Sequence, residues 1–529
     1  MLFNSYAFIF AFLPATLAGC FLLARSAGPV AAQLWLTAAS LVFYASWNVR
    51  YVPLLLGSVL FNYLTARAML HRPHTRRGAL LALAVTVDLG LLAYYKYTHF
   101  FLDTVNRLAG SHLAIASILL PLGISFYTFQ QITLLVDISG GDTRAFRLRD
   151  FLLFVTFFPH LIAGPIVHHS EMMPQFAQAR YRFDWTNMAV GTTLFAVGLF
   201  KKAVLADGIG GAVTPVYTDA ANGHPITLLY AWAAAIGFLL QMYFDFSGYS
   251  EMALGLARMV GLKLPMNFNS PLKSTSIIAY WSSWHITLTR FLTAYVYTPI
   301  AMAAVRRRRG AFATPTMITM FLSGLWHGAG PQFLLFGLLH GLFLITNHIS
   351  RRAQNQKSKS FLVLFFKKEH PFCFLSLTFV AAAIALTYFH ADSVQDGTNI
   401  IAGMAGLHGI ALPDVIDSRL PALAAMLGRI GIVFAPLPLP PLLALYGWIL
   451  ALLMVALVPP NILQLMHDHE PAITLPLPYA QDRRPAPFRH VFEQLAWRPT
   501  AAWAVATAVL SAGGILALNQ VTEFLYWQF

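Results

Sequence analysis

The residues able to do chemistry in this chain are those that fit its surroundings worst. Of its residues 57% are hydrophobic and 11% charged, yet Asp88, His160, His168, His169, Asp245, Glu251, His285, His327 and His340 fall in or beside apolar runs. An ionisable group near the centre of a membrane helix costs about 2.5–3.5 kcal/mol on insertion scales, so it is kept where it faces an interior or a wet cavity. Asp88 and Asp245 read first as packing anchors held by hydrogen bonds. His168 and His169 read as loop residues at a membrane boundary, and His340 as a satisfied histidine of an apolar helix. His285 and His327 differ, because each follows a tryptophan (Trp284, Trp326) in a short polar or glycine-rich break. Such a break suits a cavity wall, where an imidazole can serve as general base.

Metal chemistry is not expected. None of these histidines has the i, i+4 spacing of a helical zinc pair, His-Glu-x-x-His does not occur, and the adjacent His168 and His169 should point to different faces. Neither Gly-x-x-x-x-Gly-Lys-Ser/Thr nor Gly-x-Ser-x-Gly is present, which argues against a P-loop nucleotide site and a serine hydrolase. Cys20 and Cys373 are too few for a disulfide framework.

The elements that must position these residues are membrane helices. A soluble domain carries roughly 25% charged residues, so the composition excludes an ordinary cytosolic enzyme and a disordered chain. Runs long enough to span lie near 6–25, 30–49, 52–70, 79–96, 113–136, 151–167, 188–206, 226–245, 313–330, 331–348, 372–390, 441–458 and 501–522. Pro121, Pro165, Gly324, Gly328 and Pro331 interrupt several, so about 11 true spans are expected, the others being short, tilted or re-entrant. Leu17-Ala18-Gly19-Cys20 looks like a lipoprotein cleavage site, but no basic residue precedes it, so residues 6–25 read as an uncleaved first span. No soluble domain or fixed-period repeat is left, which makes 1–529 a single membrane-embedded domain. The 35 basic against 21 acidic residues give a net charge of +14. They do not form the hydrophilic face that nucleic acid requires. Arg25, Arg67 to Arg77, Arg306 to Arg309, Arg351 to Lys368 and Arg483 to Arg489 cluster in breaks, which places those loops in the cytoplasm and both termini outside.

Six segments in order carry a resemblance. They are Ile124-Ser125-Phe126-Tyr127-Thr128-Phe129-Gln130, Phe157-Phe158-Pro159-His160-Leu161-Ile162-Ala163-Gly164-Pro165-Ile166, Gly198-Leu199-Phe200-Lys201-Lys202, Asp245-Phe246-Ser247-Gly248-Tyr249, Trp284-His285-Ile286-Thr287-Leu288 and Gly324-Leu325-Trp326-His327-Gly328. Nearly end to end, the chain resembles a membrane-bound O-acyltransferase of the bacterial polysaccharide (alginate-type) O-acetyltransferase branch. The resemblance implies an all-α ring of tilted transmembrane helices with re-entrant and interfacial helices, around a thinned centre where a cytosolic tunnel meets a funnel from the other side. It implies residues 113–350 as the catalytic core, His327 as the central catalytic histidine and His285 as the second. Acetyl-CoA would be the donor and an exported polysaccharide the acceptor, reached through a periplasmic or membrane-anchored partner, in a bacterial inner membrane. Trp284 and Trp326 would exclude water, and Asp245 and Arg290 would lie on the donor-binding side.

The tail Phe524-Leu525-Tyr526-Trp527-Gln528-Phe529 resembles the family's Phe-x-Tyr-Phe-x-Phe terminus, with Trp527 in place of a Phe. This makes 520–529 an exported aromatic tail and Tyr526 a candidate acyl relay, against the plainer reading of an interfacial aromatic belt. The chain departs from the family at Ser282 and Ser283, where two arginines are usual, at Thr293-Ala294 instead of an Arg-Asp pair, and at Glu251 instead of Asp. Arg290 or Arg306 to Arg309 could replace those charges. Rival readings are a D-alanyl transferase of the same family, fed by a carrier-protein thioester, and a transporter or flippase.

Overall fold

The computed structural model describes residues 1–115, 117–142, 144–306, 312–355, 371–435, 439–474, 494–518 and 525. Among these, eight helices are long and apolar enough to cross a bilayer, and three shorter apolar helices accompany them. The chain is a polytopic all-α membrane protein.

Helices α1 (Leu13–Ser26), α2 (Pro29–Ala45), α3 (Val52–Leu70) and α4 (Arg77–Ala109) run back and forth. Pro29 and Pro53 open α2 and α3, where a missing N–H costs nothing. The turns holding Arg25 and Arg72 therefore share one end of the bundle, the basic end, and the turn at 46–51 lies at the opposite end. After α5 (Ile124–Ser139), the expected span at 151–167 is corrected. It is instead α6 (Leu148–Thr156), the single turn α7 (Phe158–Leu161) and non-helical chain leading to α8 (His169–Gln178). Pro159 cannot extend α6. The broken backbone is satisfied from its neighbours, since Phe158 N donates to Ser40 Oγ (3.1 Å) and Ile166 N to Thr287 Oγ1 (3.0 Å). Irregular chain at membrane depth survives only when protein supplies such partners.

Next come α9 (Trp185–Phe200), α10 (Asp207–Ala221) and the long α11 (Leu228–Met259), which is buried without interruption from Gly237 to Ala257. α9 reaches α11 closely because a β-carbon on Gly198 would stand 2.4 Å from the Gly248 carbonyl oxygen. Two short helices, α12 (Ile277–Trp281) and α13 (Ile286–Leu292), follow, and a π-helical turn, Thr293–Tyr297, leads into α14 (Thr298–Arg306). The apolar stretch Ile286–Arg306 is one of the eight long helices and was not among the expected spans. Then α15 (Ala313–His327) and α16 (Pro331–Asn355) form an antiparallel hairpin. Beyond it lie α17 (Pro371–His390), α18 (Val394–Met404), a parallel pair of strands β1 (Ile410–Pro413) and β2 (Ile432–Ala435), α19 (Leu439–Leu457) and α20 (Ala501–Leu516).

Candidate active site

His327 is the last residue of α15, about 21 Å along the helix from its start at the basic end. The hairpin that presents it is tight. A β-carbon on Gly324 would meet the Phe333 carbonyl oxygen at 2.3 Å, and one on Gly337 the Met320 carbonyl oxygen at 2.3 Å, so only glycine permits this approach. The final carbonyls of a helix have no partner within it. Here Lys96 Nζ donates to the carbonyls of Trp326 and His327 (the latter at 3.1 Å), and Tyr97 Oη donates to that of Leu325 (2.7 Å). A cation at this end also complements the helix dipole. The His327 ring is packed edge-on by Phe389 and Phe336, with centroids 5.1 and 5.7 Å away.

His285 caps α13 in a left-handed backbone conformation, φ 44° and ψ 53°. Its Nδ1 lies 3.0 Å from Asn267 Oδ1, an oxygen that also accepts from Thr287 N and Thr287 Oγ1. Because Oδ1 accepts a backbone N–H, it is an acceptor toward the imidazole as well. Nδ1 therefore carries the proton and Nε2 the lone pair. Trp326 lies against both histidines, its centroid 6.2 Å from that of His285 and 4.8 Å from that of His327.

The other polar residues sort by partner. Gln130 bonds the fully buried His160 (3.1 Å), and Trp281 Nε1 donates to His340 Nδ1 (3.2 Å). Asn62 Nδ2 donates to Asp88 (3.0 Å), an anchor as expected. Asp245, expected on the donor-binding side and read first as a packing anchor, is held by partners within the protein. It is wholly buried, with Lys202 Nζ 2.7 Å away, and its Oδ2 accepts the backbone N–H of Leu525 at 3.2 Å. Its charge is spent inside the protein. Lys202 also meets Asp207 (2.7 Å), and Lys201 pairs with Glu251. Trp284 stacks on Tyr280 (5.5 Å) and abuts Phe268. Arg290 forks onto Glu171. Tyr526 and Arg307 to Arg309 lie outside the described residues.

One geometric expectation fails outright. His168 and His169 do not diverge; their ring centroids are 4.4 Å apart and both face Asp137. His168 is the extended N-cap of α8 (φ −99°, ψ 140°) and His169 its first helical residue, so neither strand nor helix alternation governs the pair. Nearby, hydrogen bonds from Arg144 hold the Asp142 carboxyl well below the usual carboxylate range.

Two cavities lie in this region, and one of them reaches Trp326 and His327. One of about 270 Å³, opening away from the basic end, is lined by Trp47, Lys96, Pro121, Trp326 and His327. Another of about 460 Å³, extending from His348 and Tyr297, ends on Trp281, Ser282 and Arg290. Lys96 and Asn267 were not anticipated. The only trace of Lys96 in the sequence is a charge inside Tyr94-Tyr95-Lys96-Tyr97, and Asn267 leaves none.

Residues 142–362 match the family model described as MBOAT, membrane-bound O-acyltransferase family. A peptidoglycan O-acetyltransferase of Helicobacter pylori is 39% identical over 442 residues, spanning 78% of this chain and 81% of that protein. The "Probable alginate O-acetylase AlgI" of Pseudomonas aeruginosa is 39% identical over 353 residues, 65% of each chain. A teichoic acid D-alanyltransferase of Streptococcus thermophilus is 27% identical over 250 residues, 46% of this chain and 60% of that one.

Proposed function

The chain belongs to the membrane-bound O-acyltransferase family, in its bacterial polysaccharide O-acetyltransferase branch, and from that premise we propose that it passes acetyl groups from acetyl-CoA to an exported glycan. The observation that carries this reading is the pair of imidazoles flanking Trp326, with His327 and Trp326 lining a cavity and a second cavity ending on Trp281 and Ser282. The positive-inside rule puts the basic end in the cytoplasm, on the side of a thioester donor, and the His327 cavity on the outer side of a bacterial inner membrane.

An acetyl thioester is already activated, so the site has to align a hydroxyl, take its proton and exclude water. His327 removes the proton as the hydroxyl oxygen attacks the thioester carbonyl. The new C–O bond forms, the C–S bond breaks, and the departing thiolate takes up the proton from the imidazolium. His285, with its lone pair on Nε2, accepts a hydrogen bond from a substrate donor group other than the reacting hydroxyl, whose one proton goes to His327, and so orients the substrate. Trp326 separates the two rings and keeps water from the thioester. Tyr526 serves as first acceptor and hands the acetyl group to a periplasmic or membrane-anchored partner. The bond from Leu525 N to Asp245 holds the residue that precedes Tyr526 against α11. The lower identity to the D-alanyl transferase favours acetyl over D-alanyl as cargo.

The test supplies labelled acetyl-CoA to the purified protein in lipid. His327→Ala should lower thioester consumption by about 10²–10⁴-fold; unchanged consumption would remove the central assignment. Tyr526→Phe should abolish label on the chain and on the partner. Transfer at the wild-type rate by that variant would make the tail structural.

A further inference from the structure

At the basic end, the C-terminus of α5, the start of α8 and the π-helical turn Thr293–Tyr297 converge on one point. His168 Nε2 stands 2.7 Å and His169 Nδ1 3.6 Å from the same oxygen, Asp137 Oδ2. Each of the three residues offers one ligand atom within 4.8 Å of those of the other two. The Tyr295 hydroxyl is 2.8 Å from His168 Nε2 and 3.0 Å from Asp137 Oδ2. We propose that Asp137, His168 and His169 bind a divalent transition-metal ion, zinc by its donor set, with Tyr295 or a water completing the shell. The site is independent of the acyl-transfer reading.

The outer contacts distinguish this cluster from a chance meeting of polar groups. A metal-bound imidazole gives its other N–H to a carboxylate or another acceptor, which fixes the ring. Here His169 Nε2 faces Asp142 Oδ2 at 3.2 Å, and His168 Nδ1 faces Ser170 Oγ at 2.6 Å. With the His169 proton directed to Asp142, its Nδ1 holds a lone pair. That atom is buried, makes no hydrogen bond and confronts the Asp137 carboxylate. Two lone-pair donors at this distance repel unless a cation lies between them. Tetrahedral ligands at about 2.0–2.2 Å from zinc are roughly 3.3–3.6 Å apart, and the observed separations bracket that spacing.

Binding moves the His168 proton from Nε2 to Nδ1, where Ser170 Oγ accepts it. This gives up the 3.3 Å bond by which Ser170 N caps onto that nitrogen, and exchanges the direct contacts of Nε2 with Asp137 and Tyr295 for the ion. Arg144 offsets the charge of Asp142, and the α8 N-terminus itself disfavours a cation. The ion must therefore be gripped by imidazole nitrogens, which suits zinc and not magnesium or calcium. Bound there, it fastens the folded segment 157–168 to α5 and to Tyr295, beside a cavity of about 270 Å³ lined by Glu171 and Arg290.

The test uses the full chain in detergent, carrying a tag free of histidine, stripped with EDTA and titrated with Zn²⁺ alone against a chromophoric chelator. Wild type should take up about one zinc per chain, and His169→Ala should take up none at this affinity. Asp142→Asn, which keeps all three ligands and weakens the contacts of Asp142 to His169 and Arg144, should bind about 10–100-fold more weakly. It decides the matter should His169→Ala fail to fold. Zinc affinity unchanged in Asp142→Asn, or equal retention by wild type and a folded His169→Ala, overturns the proposal.

Discussion

Two buried polar layers adjoin α11 and are built on opposite rules. On one side Lys202 meets both Asp245 and Asp207, and Lys201 meets Glu251, so every charge has an opposite one beside it, two lysines to three carboxylates. On the other, one residue along, Phe246 lies edge-on to His285 (4.7 Å), which is held by the neutral Asn267. His327 sits at a helix end whose carbonyls Lys96 satisfies. The difference teaches that an ionisable residue at membrane depth is not by itself a sign of catalysis. Where an opposite charge consumes it, it joins helices; where a neutral acceptor and aromatic walls hold it, its ring is set for chemistry.

The sharpest way to break this contrast is to exchange its symptoms. His285→Ala should cut acetyl transfer by about 10²-fold or more while leaving the thermal midpoint nearly unchanged. Lys202→Met should do the reverse, destabilising the fold by about 3–5 kcal/mol because it strands a buried carboxylate. Calorimetry and transfer assays on both variants would erase the distinction if either lost both properties equally. A smaller effect is expected at Asn267, since Asn267→Ala frees the His285 ring and its tautomer for about 1–3 kcal/mol. Its pH–rate profile should shift, and a profile identical to wild type would reduce Asn267 to packing. Smallest is Tyr97→Phe, which loses one bond to the Leu325 carbonyl. That change should cost about 0.5–1.5 kcal/mol of stability, read by denaturation, with turnover close to wild type.

Much of the helical architecture was legible because apolar runs and basic breaks are local properties of the chain. The tryptophan-histidine breaks were legible for the same reason: His285 does interrupt two helices and His327 does end one. What stayed hidden depends on distant partners. Lys96 acquires its role from carbonyls some 230 positions away, and Asn267 from a ring brought back by a turn. The segment 151–167 is apolar enough to look like a span, and only the hydroxyls of Ser40 and Thr287 reveal why it can break instead. Ile286–Arg306 escaped notice because Arg290 and its threonines dilute the apolar signal, although Glu171 neutralises that arginine. His168 and His169 were misjudged by assuming regular alternation across what is a helix boundary.

The left-handed backbone at His285 has a consequence for how this protein could be altered. A residue with a β-carbon pays roughly 1–2 kcal/mol for that posture, which glycine adopts freely. Laboratory evolution for heat tolerance, run without a transfer assay, would therefore be expected to discard this histidine early and return a hardier, inert membrane protein.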